Sequence, residues 1–243
     1  MKRLPIGILG SGKGSNCRAI LERIRSGDLA AEARLVVSDV LDAPILEMAR
    51  EFRVANTYLP PGRFRTRLEP EIEEQLVQTL RHAGVELVVL AGFMRVLHEP
   101  MLKAFPRRII NIHPSLLPKF PGLEAWKQAL IAGETVTGCT VHYVDDRIDH
   151  GQILAQKEVK ILPNDSAESL HARIQVLEHE LYPAVIAEFC KRYAEATQPD
   201  KGWSDNKIPP KLRRYECSGF GSRFSSSSKA TAGLFCLCKI EYT

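Results

Sequence analysis

No run of apolar residues in this 243-residue chain is long enough to span a bilayer, and no small-residue cleavage site follows Met1-Lys2-Arg3-Leu4-Pro5. Neither a membrane anchor nor a secretory leader is expected, and the chain reads as cytoplasmic. Paired cysteine spacing is missing as well. The six cysteines, at positions 17, 139, 190, 217, 236 and 238, read as free thiols of a reducing compartment. Cys217, Cys236 and Cys238 fall in a stretch with no histidine and no fourth thiol, so no metal is expected there. A charge excess is also absent from the main body. From Lys201 onward eight Lys or Arg face three acids, so this tail carries +5 and residues 1–200 about −1 of the formal total of +4. The body therefore lacks the footprint of a nucleic-acid binder. An anionic ligand there must be held by a few placed cations and backbone amides.

What is present is an alternation of short apolar runs with amphipathic stretches. Strands are expected at Ile6–Leu9, Arg34–Val37, Ala55–Leu59, Leu87–Ala91 and Arg108–Asn111. Helices are expected between and after them at Cys17–Arg25, Pro44–Phe52, Pro70–His82, Glu99–Ala104 and Glu124–Ala132. Proline opens the helix at Pro44, and Gly84 closes the one ending at His82. Two consecutive strands, Thr137–Val144 and Gln152–Leu162, then follow without a helix between them, and a long helix capped by Ser166 runs to about Arg192. The rhythm predicts an α/β fold: a Rossmann-like, doubly wound, mostly parallel sheet with helices on both faces and an antiparallel extension near the C-terminal part. With 44% hydrophobic residues there is enough apolar material for one sizeable core. The expected division is a catalytic domain over 1–203 and a largely disordered tail over 204–243.

Three segments carry chemistry. Gly10-Ser-Gly-Lys-Gly-Ser-Asn16 joins the first strand to the first helix, where glycines admit an anion to backbone amides and the helix N-terminus adds positive potential. It is neither a Walker loop nor a dinucleotide fingerprint, since Ser15 stands where the third glycine would fall. Asp39, at the end of the second strand, can still imitate a ribose-binding acid. Asn111 and His113 lie two residues apart where an interior strand ends, so both can face one reacting atom. Taken singly, each also fits a strand cap or a hydrogen-bonding loop residue. Asp149, before His150-Gly151, is either a turn residue or a carboxylate returning over the sheet edge to fix the imidazole tautomer or relay a proton. His142, alternating with Thr140 and Val144, suits a supporting role. Ala91-Gly-Phe-Met-Arg-Val-Leu97 either packs into the next helix or walls a flat aromatic ligand. Asp145 and Asp146 fit a solvated loop equally well.

Together these blocks resemble the phosphoribosylglycinamide formyltransferase family of folate-dependent formyltransferases, from about Ile6 to about Pro210. The resemblance rests on Gly10–Asn16, Leu90-Ala-Gly-Phe-Met-Arg95, Asn111-Ile-His-Pro-Ser-Leu-Leu-Pro-Lys-Phe-Pro-Gly122, and Asp149-His-Gly151 with Gly138 before it. It implies transfer of a formyl group from N10-formyltetrahydrofolate, as co-substrate, to the primary amine of glycinamide ribonucleotide in purine synthesis, with no metal. Asn111, His113 and Asp149 would be the catalytic trio. Gly12, Lys13, Gly14, Ser15 and Asn16 would hold the phosphate, and Gln175 and Glu178 the sugar and glycinamide portion. Met94, Arg95, Val96 and Leu97, with Asp145 and Asp146, would enclose the pterin, and Arg67 matches an arginine near the folate. Lys13 departs from a frequent asparagine, and the residues after Pro210 match nothing in the family.

The rivals are methionyl-tRNA formyltransferase, which usually carries a longer chain with a basic C-terminal domain, and formyltetrahydrofolate hydrolase, which usually begins with a small regulatory domain. A nucleotide-cofactor oxidoreductase and a non-catalytic ligand-binding module lie further off. The partners expected are the two small molecules, with no nucleic acid or membrane, and the assembly a monomer or homodimer.

Overall fold

The computed structural model describes residues 2–197. The tail assigned from residue 204, with its basic charge and Cys217, Cys236 and Cys238, lies outside the described residues. In chain order the elements are β1 (Leu4–Leu9), α1 (Ser15–Ser26), β2 (Ala31–Ser38), α2 (Pro44–Glu51), β3 (Asn56–Tyr58), α3 (Pro70–His82) and β4 (Leu87–Leu90). They continue with α4 (Glu99–Ala104), β5 (Ile109–His113), α5 (Ala125–Ile131), β6 (Val136–Tyr143), β7 (Ile153–Lys160) and α6 (Ala167–Ala196).

One sheet, ordered β3-β2-β1-β4-β5-β6-β7, collects every strand. The pairs from β3 to β5 are parallel, while β5–β6 and β6–β7 are antiparallel. Both faces of the parallel part are covered, as its unbroken apolar strands require. Ile6, Ile8, Val89 and Ile110 pack with Ile20, Ile45 and Ile186 from α1, α2 and α6. Leu9, Val37, Val88 and Ile109 pack with Leu76, Leu80 and Met101 from α3 and α4 on the opposite face. The register of the side chains thus divides the core into two layers separated by the sheet.

Local chemistry sets the element ends. Pro70 opens α3, Glu71 and Glu73 lie in its first turn, and Arg81 and His82 lie in its last, as the helix dipole favours. Ser166 caps α6, but the reciprocal partner is Ser169, whose hydroxyl accepts from the Ser166 N–H at 2.9 Å. Tyr182 on α6 is fully buried, and its hydroxyl lies 2.9 Å and 3.0 Å from the carbonyls of Leu90 and Ile110. It can donate to either, and it docks the long helix on the two strands that lead into the site.

Two features of the sheet place that site. The chain order reverses beside β1, whose neighbours are β2 and β4, so the loops leaving β1 and β4 part at a topological switch point. In addition, β5 runs two residues beyond the expected end at Asn111. The antiparallel strand β6 extends the ladder there, pairing Asn111 with His142 and His113 with Thr140. His113 is therefore a buried strand residue, 5% exposed, and not a loop residue between prolines.

Candidate active site

The end of β5 meets the loop after β6. Asn111 and His113 point to one side, as alternation requires, and Asp149 returns to them. Asp149 Oδ2 lies 3.3 Å from His113 Nδ1 and accepts from the Gly122 N–H at 2.8 Å. Asp149 Oδ1 lies 3.6 Å from His142 Nε2. Asp149 has φ 52°, and Phe120 and Glu124 in the facing segment have φ 55° and 53°. Left-handed backbone at three non-glycine residues marks a local conformation held by its surroundings, the kind that gathers at functional sites.

Hydrogen bonding assigns the protons. His113 Nε2 lies 2.8 Å from the Phe120 carbonyl, which can only accept, so Nε2 carries a hydrogen and Nδ1 is the nitrogen that titrates. His142 Nδ1 lies 2.8 Å from the Tyr143 carbonyl and is protonated for the same reason, which leaves Nε2 as an acceptor. Asn111 Nδ2, 3.2 Å away, donates to it. The Asn111 amide is thereby oriented, with a second N–H left for a ligand. Burial lowers the His113 pKa by more than Asp149 and the Phe120 carbonyl raise it. Burial pushes the Asp149 carboxyl up, but the His142 and His113 rings in their proton-bearing, charged forms, with the Gly122 N–H, outweigh it, and its pKa lies below the usual value. A neutral imidazole thus presents a bare Nδ1 lone pair to a carboxylate. That arrangement favours the arrival of a proton between them.

At the switch point the glycine loop lies against the loop after β4. A Cβ on Gly10 would meet the Ala91 carbonyl oxygen at 2.8 Å, so only glycine allows this approach. Gly14, with φ 75°, starts α1 without a side-chain cap, which leaves the first amides of the helix to a ligand. Gly12 and Lys13 are exposed and Ser15 half-buried. A cleft of about 310 Å³ opens beside Lys13 and Ser15 toward Glu47 and Glu51 of α2, and none of Asn111, His113 and Asp149 lines it.

Asn16 and Glu178 are brought together across 162 residues of sequence: Asn16 Nδ2 donates to Glu178 Oε2 at 2.8 Å. Glu178 is 5% exposed, and burial pushes its carboxyl up to about 7 against the pull of that bond. Asn16 Oδ1 is buried with no partner within the protein. Gln175 shares the face of α6 with Glu178, three residues away. In the loop after β4, Met94 is 58% exposed and Val96 half-buried, whereas Leu97 packs into the core and has mainly its backbone to offer. The Arg95 side chain turns to Asp39, with Nε donating to Oδ2 at 2.6 Å. Arg67 forms an isolated bridge with Val96, and its guanidinium lies 4.1 Å from the Phe64 ring. Asp145 accepts from the Arg147 N–H and Asp146 is exposed, so neither is drawn into the cluster around His113. Among the described residues no group of His, Cys, Asp and Glu could hold a metal ion. Cys17, Cys139 and Cys190 are free and buried, and among the described residues no helix is long and apolar enough to cross a membrane.

Residues 4–186 match the formyl transferase family. The chain belongs to that family. It is 41% identical over 181 residues to the phosphoribosylglycinamide formyltransferase of Bacillus subtilis, covering 74% of this chain and 92% of that protein. Over 187 residues it is 44% identical to the trifunctional purine biosynthetic protein adenosine-3 of Drosophila pseudoobscura pseudoobscura, covering 76% of this chain but only 14% of the relative's length. Among solved structures, glycinamide ribonucleotide transformylase 1 of Symbiobacterium toebii superposes with a TM-score of 0.75 at 45% identity, covering 78% of this chain and 89% of that one. In this formyl transferase, motif reading does not reach the backbone groups that orient the trio, the Phe120 carbonyl and the Gly122 N–H. Nor does it reach the bond between Asn111 and His142, although their common exposure to one strand pair was implicit in the β5–β6 register.

Proposed function

We propose that this formyltransferase moves the formyl group of N10-formyltetrahydrofolate to the primary amine of glycinamide ribonucleotide, in the cytoplasm and with small molecules as its only substrates. The observation that carries the reading is the His113 imidazole: its one titrating nitrogen faces a carboxylate at 3.3 Å, two residues along the strand from an oriented carboxamide.

The amine attacks the formyl carbon, a C–N bond forms, and the carbonyl oxygen becomes an oxyanion. The second N–H of Asn111 donates to that oxygen; loss of one such donor typically costs about 2.7–4 kcal/mol. His113 Nδ1 accepts the proton that the attacking nitrogen gives up, and the imidazolium formed is balanced by Asp149. As the tetrahedral species collapses, the bond from carbon to the folate N10 breaks and the Nδ1 proton passes to N10, so protons and charge balance over the cycle. Holding both substrates in line supplies much of the remaining acceleration.

The surroundings suit the two ligands. A phosphate fits the uncapped start of α1 at Gly12–Asn16, with Lys13 as the placed cation. The unpaired Asn16 Oδ1 invites a ribose hydroxyl or amine donor, beside Gln175 and Glu178. Met94, Leu123 and Ile148 are exposed apolar side chains, the last two next to the residues joined by the Gly122–Asp149 bond, and offer cover for a pterin. Arg67 stands ready for a carboxylate. Incubation with glycinamide ribonucleotide and formyl-folate, followed by folate absorbance, should show transfer that requires both substrates. Transfer to methionyl-tRNA or to water alone, with none to the ribonucleotide, would replace this reading.

A further inference from the structure

Asp39 occupies the position at the end of β2 where dinucleotide-binding sheets keep a ribose-binding acid. Here both of its oxygens are already engaged. Oδ1 accepts from Ser11 Oγ at 2.5 Å and Oδ2 from Arg95 Nε at 2.6 Å, with the Asp39 and Arg95 side chains 2% and 13% exposed. Ser11 Oγ in turn accepts from the Met94 N–H at 2.9 Å, and the Ser11 N–H donates to the Gly92 carbonyl at 3.0 Å. Arg95 also donates to the Phe64 carbonyl at 2.5 Å, and the Val96 N–H to the Thr66 carbonyl at 2.8 Å. Three loops therefore converge on one carboxylate: the glycine loop, the segment 92–97, and the strap 64–67 that carries Arg67.

We propose that Asp39, with Ser11, is a positioning pair that locks the ribonucleotide loop to the folate wall, so that damage to the pair weakens binding on both sides. The proposal rests on the substrate assignment above. Stability alone does not account for the burial of Asp39, because a buried ion pair such as the one it makes with Arg95 is often no better for stability than a well-packed apolar replacement. Its bonds run from loop to loop above the sheet, where they set the spacing of the two ligand walls.

Ser11→Ala is the sharpest probe, since it removes one hydroxyl and keeps the Cβ. The expected result is a crossed effect: KM rises by about fivefold for glycinamide ribonucleotide and also for formyl-folate, while kcat falls much less. Asp39→Asn should raise both KM values further, and Arg67→Ala, on the strap alone, should raise only the folate KM. Amide exchange across 92–97 should quicken in Ser11→Ala because the Met94 N–H loses its acceptor, a readout independent of any substrate. Unchanged exchange, or a KM change confined to the ribonucleotide, would overturn the lock. A parent enzyme that neither substrate saturates would overturn the substrate assignment and the crossed effect with it, whatever the exchange data show.

Discussion

The parallel half of the sheet and its antiparallel edge do different work by different means. Around β1 and β4, the loops present backbone amides, a carboxylate-bound arginine and exposed apolar side chains, which on the proposed reading would hold ligands by shape and fixed dipoles. Along β5 and β6, three titratable side chains and a carboxamide meet within 3.6 Å of one another in turn; His113, His142 and Asp149 are each aimed by a backbone group, and Asn111 by His142. The lesson is one of tolerance. Placement on the parallel side is shared among many groups, so a single loss should appear in KM. On the antiparallel edge the proposed chemistry runs through one atom, His113 Nδ1, so its loss should appear in kcat.

The largest effect expected is therefore at that edge. His113→Ala should lower kcat by roughly 10²–10⁴-fold, the range for a positioned acid–base group, with KM values little altered. Asp149→Asn sharpens the test. Asparagine tolerates the left-handed backbone at φ 52°, so the turn survives and only the charge is lost. Because Asp149 lifts the His113 pKa against burial, the imidazole of the variant should titrate at a lower pH than in the parent, as followed by NMR. Turnover near the parent rate in either variant would erase the contrast between the two regions.

Legibility in the sequence follows the same division. The parallel half could be read element by element, since apolar strands, proline-opened helices and glycine stops are local signals; α3 and α4 fall at the expected residues. At the edge, spacing puts Asn111 and His113 on one side of a strand but leaves Asp149 open between a turn residue and a returning carboxylate; the resemblance to the family is what joins the three. Their tautomers and orientation depend on main-chain carbonyls and amides, which carry no signature of residue type. Asp39 illustrates the limit from the other side. Position and chemistry suggested a ribose-binding acid, but its environment, set by Arg95 from a loop 56 residues away, turned it into an internal brace.

A smaller effect is expected one layer behind the edge. Thr140 Oγ1 donates to the Ser115 carbonyl at 2.6 Å, while the Leu117 N–H and Gln156 Nε2 donate to it at 3.0 Å and 2.9 Å. This hydroxyl anchors the loop that contains the cis Leu117–Pro118 bond and supplies the Phe120 carbonyl and Gly122 N–H. Thr140→Val keeps the shape and leaves buried polar groups unpaired, costing about 1–3 kcal/mol of stability. It should also lower kcat by about tenfold through slackened His113 and Asp149, an effect well short of removing either group. Thr140→Ser should restore most of both losses; a serine variant as impaired as the valine one would show that the hydroxyl alone does not hold the loop.

The effect with the least consequence for turnover is one of stability, and it belongs to the parallel side. Burial raises the Glu178 carboxyl from 4.5 to about 7, so between those values the folded chain keeps a proton that the unfolded chain has released. Folding stability from this group therefore falls as pH rises from 4.5 to about 7 and stays low above it. Glutamine mimics the protonated acid and can still accept from Asn16 Nδ2. Glu178→Gln should leave stability almost unchanged at pH 4 and raise it by up to about 3 kcal/mol at pH 8, measured by denaturant unfolding at the two pH values. The same change should weaken binding of the ribonucleotide without touching the chemistry at His113, because a carboxylate kept at a cost in stability is kept for its ligand. Equal stabilisation at both pH values would mean that packing, and not the buried charge, sets the difference.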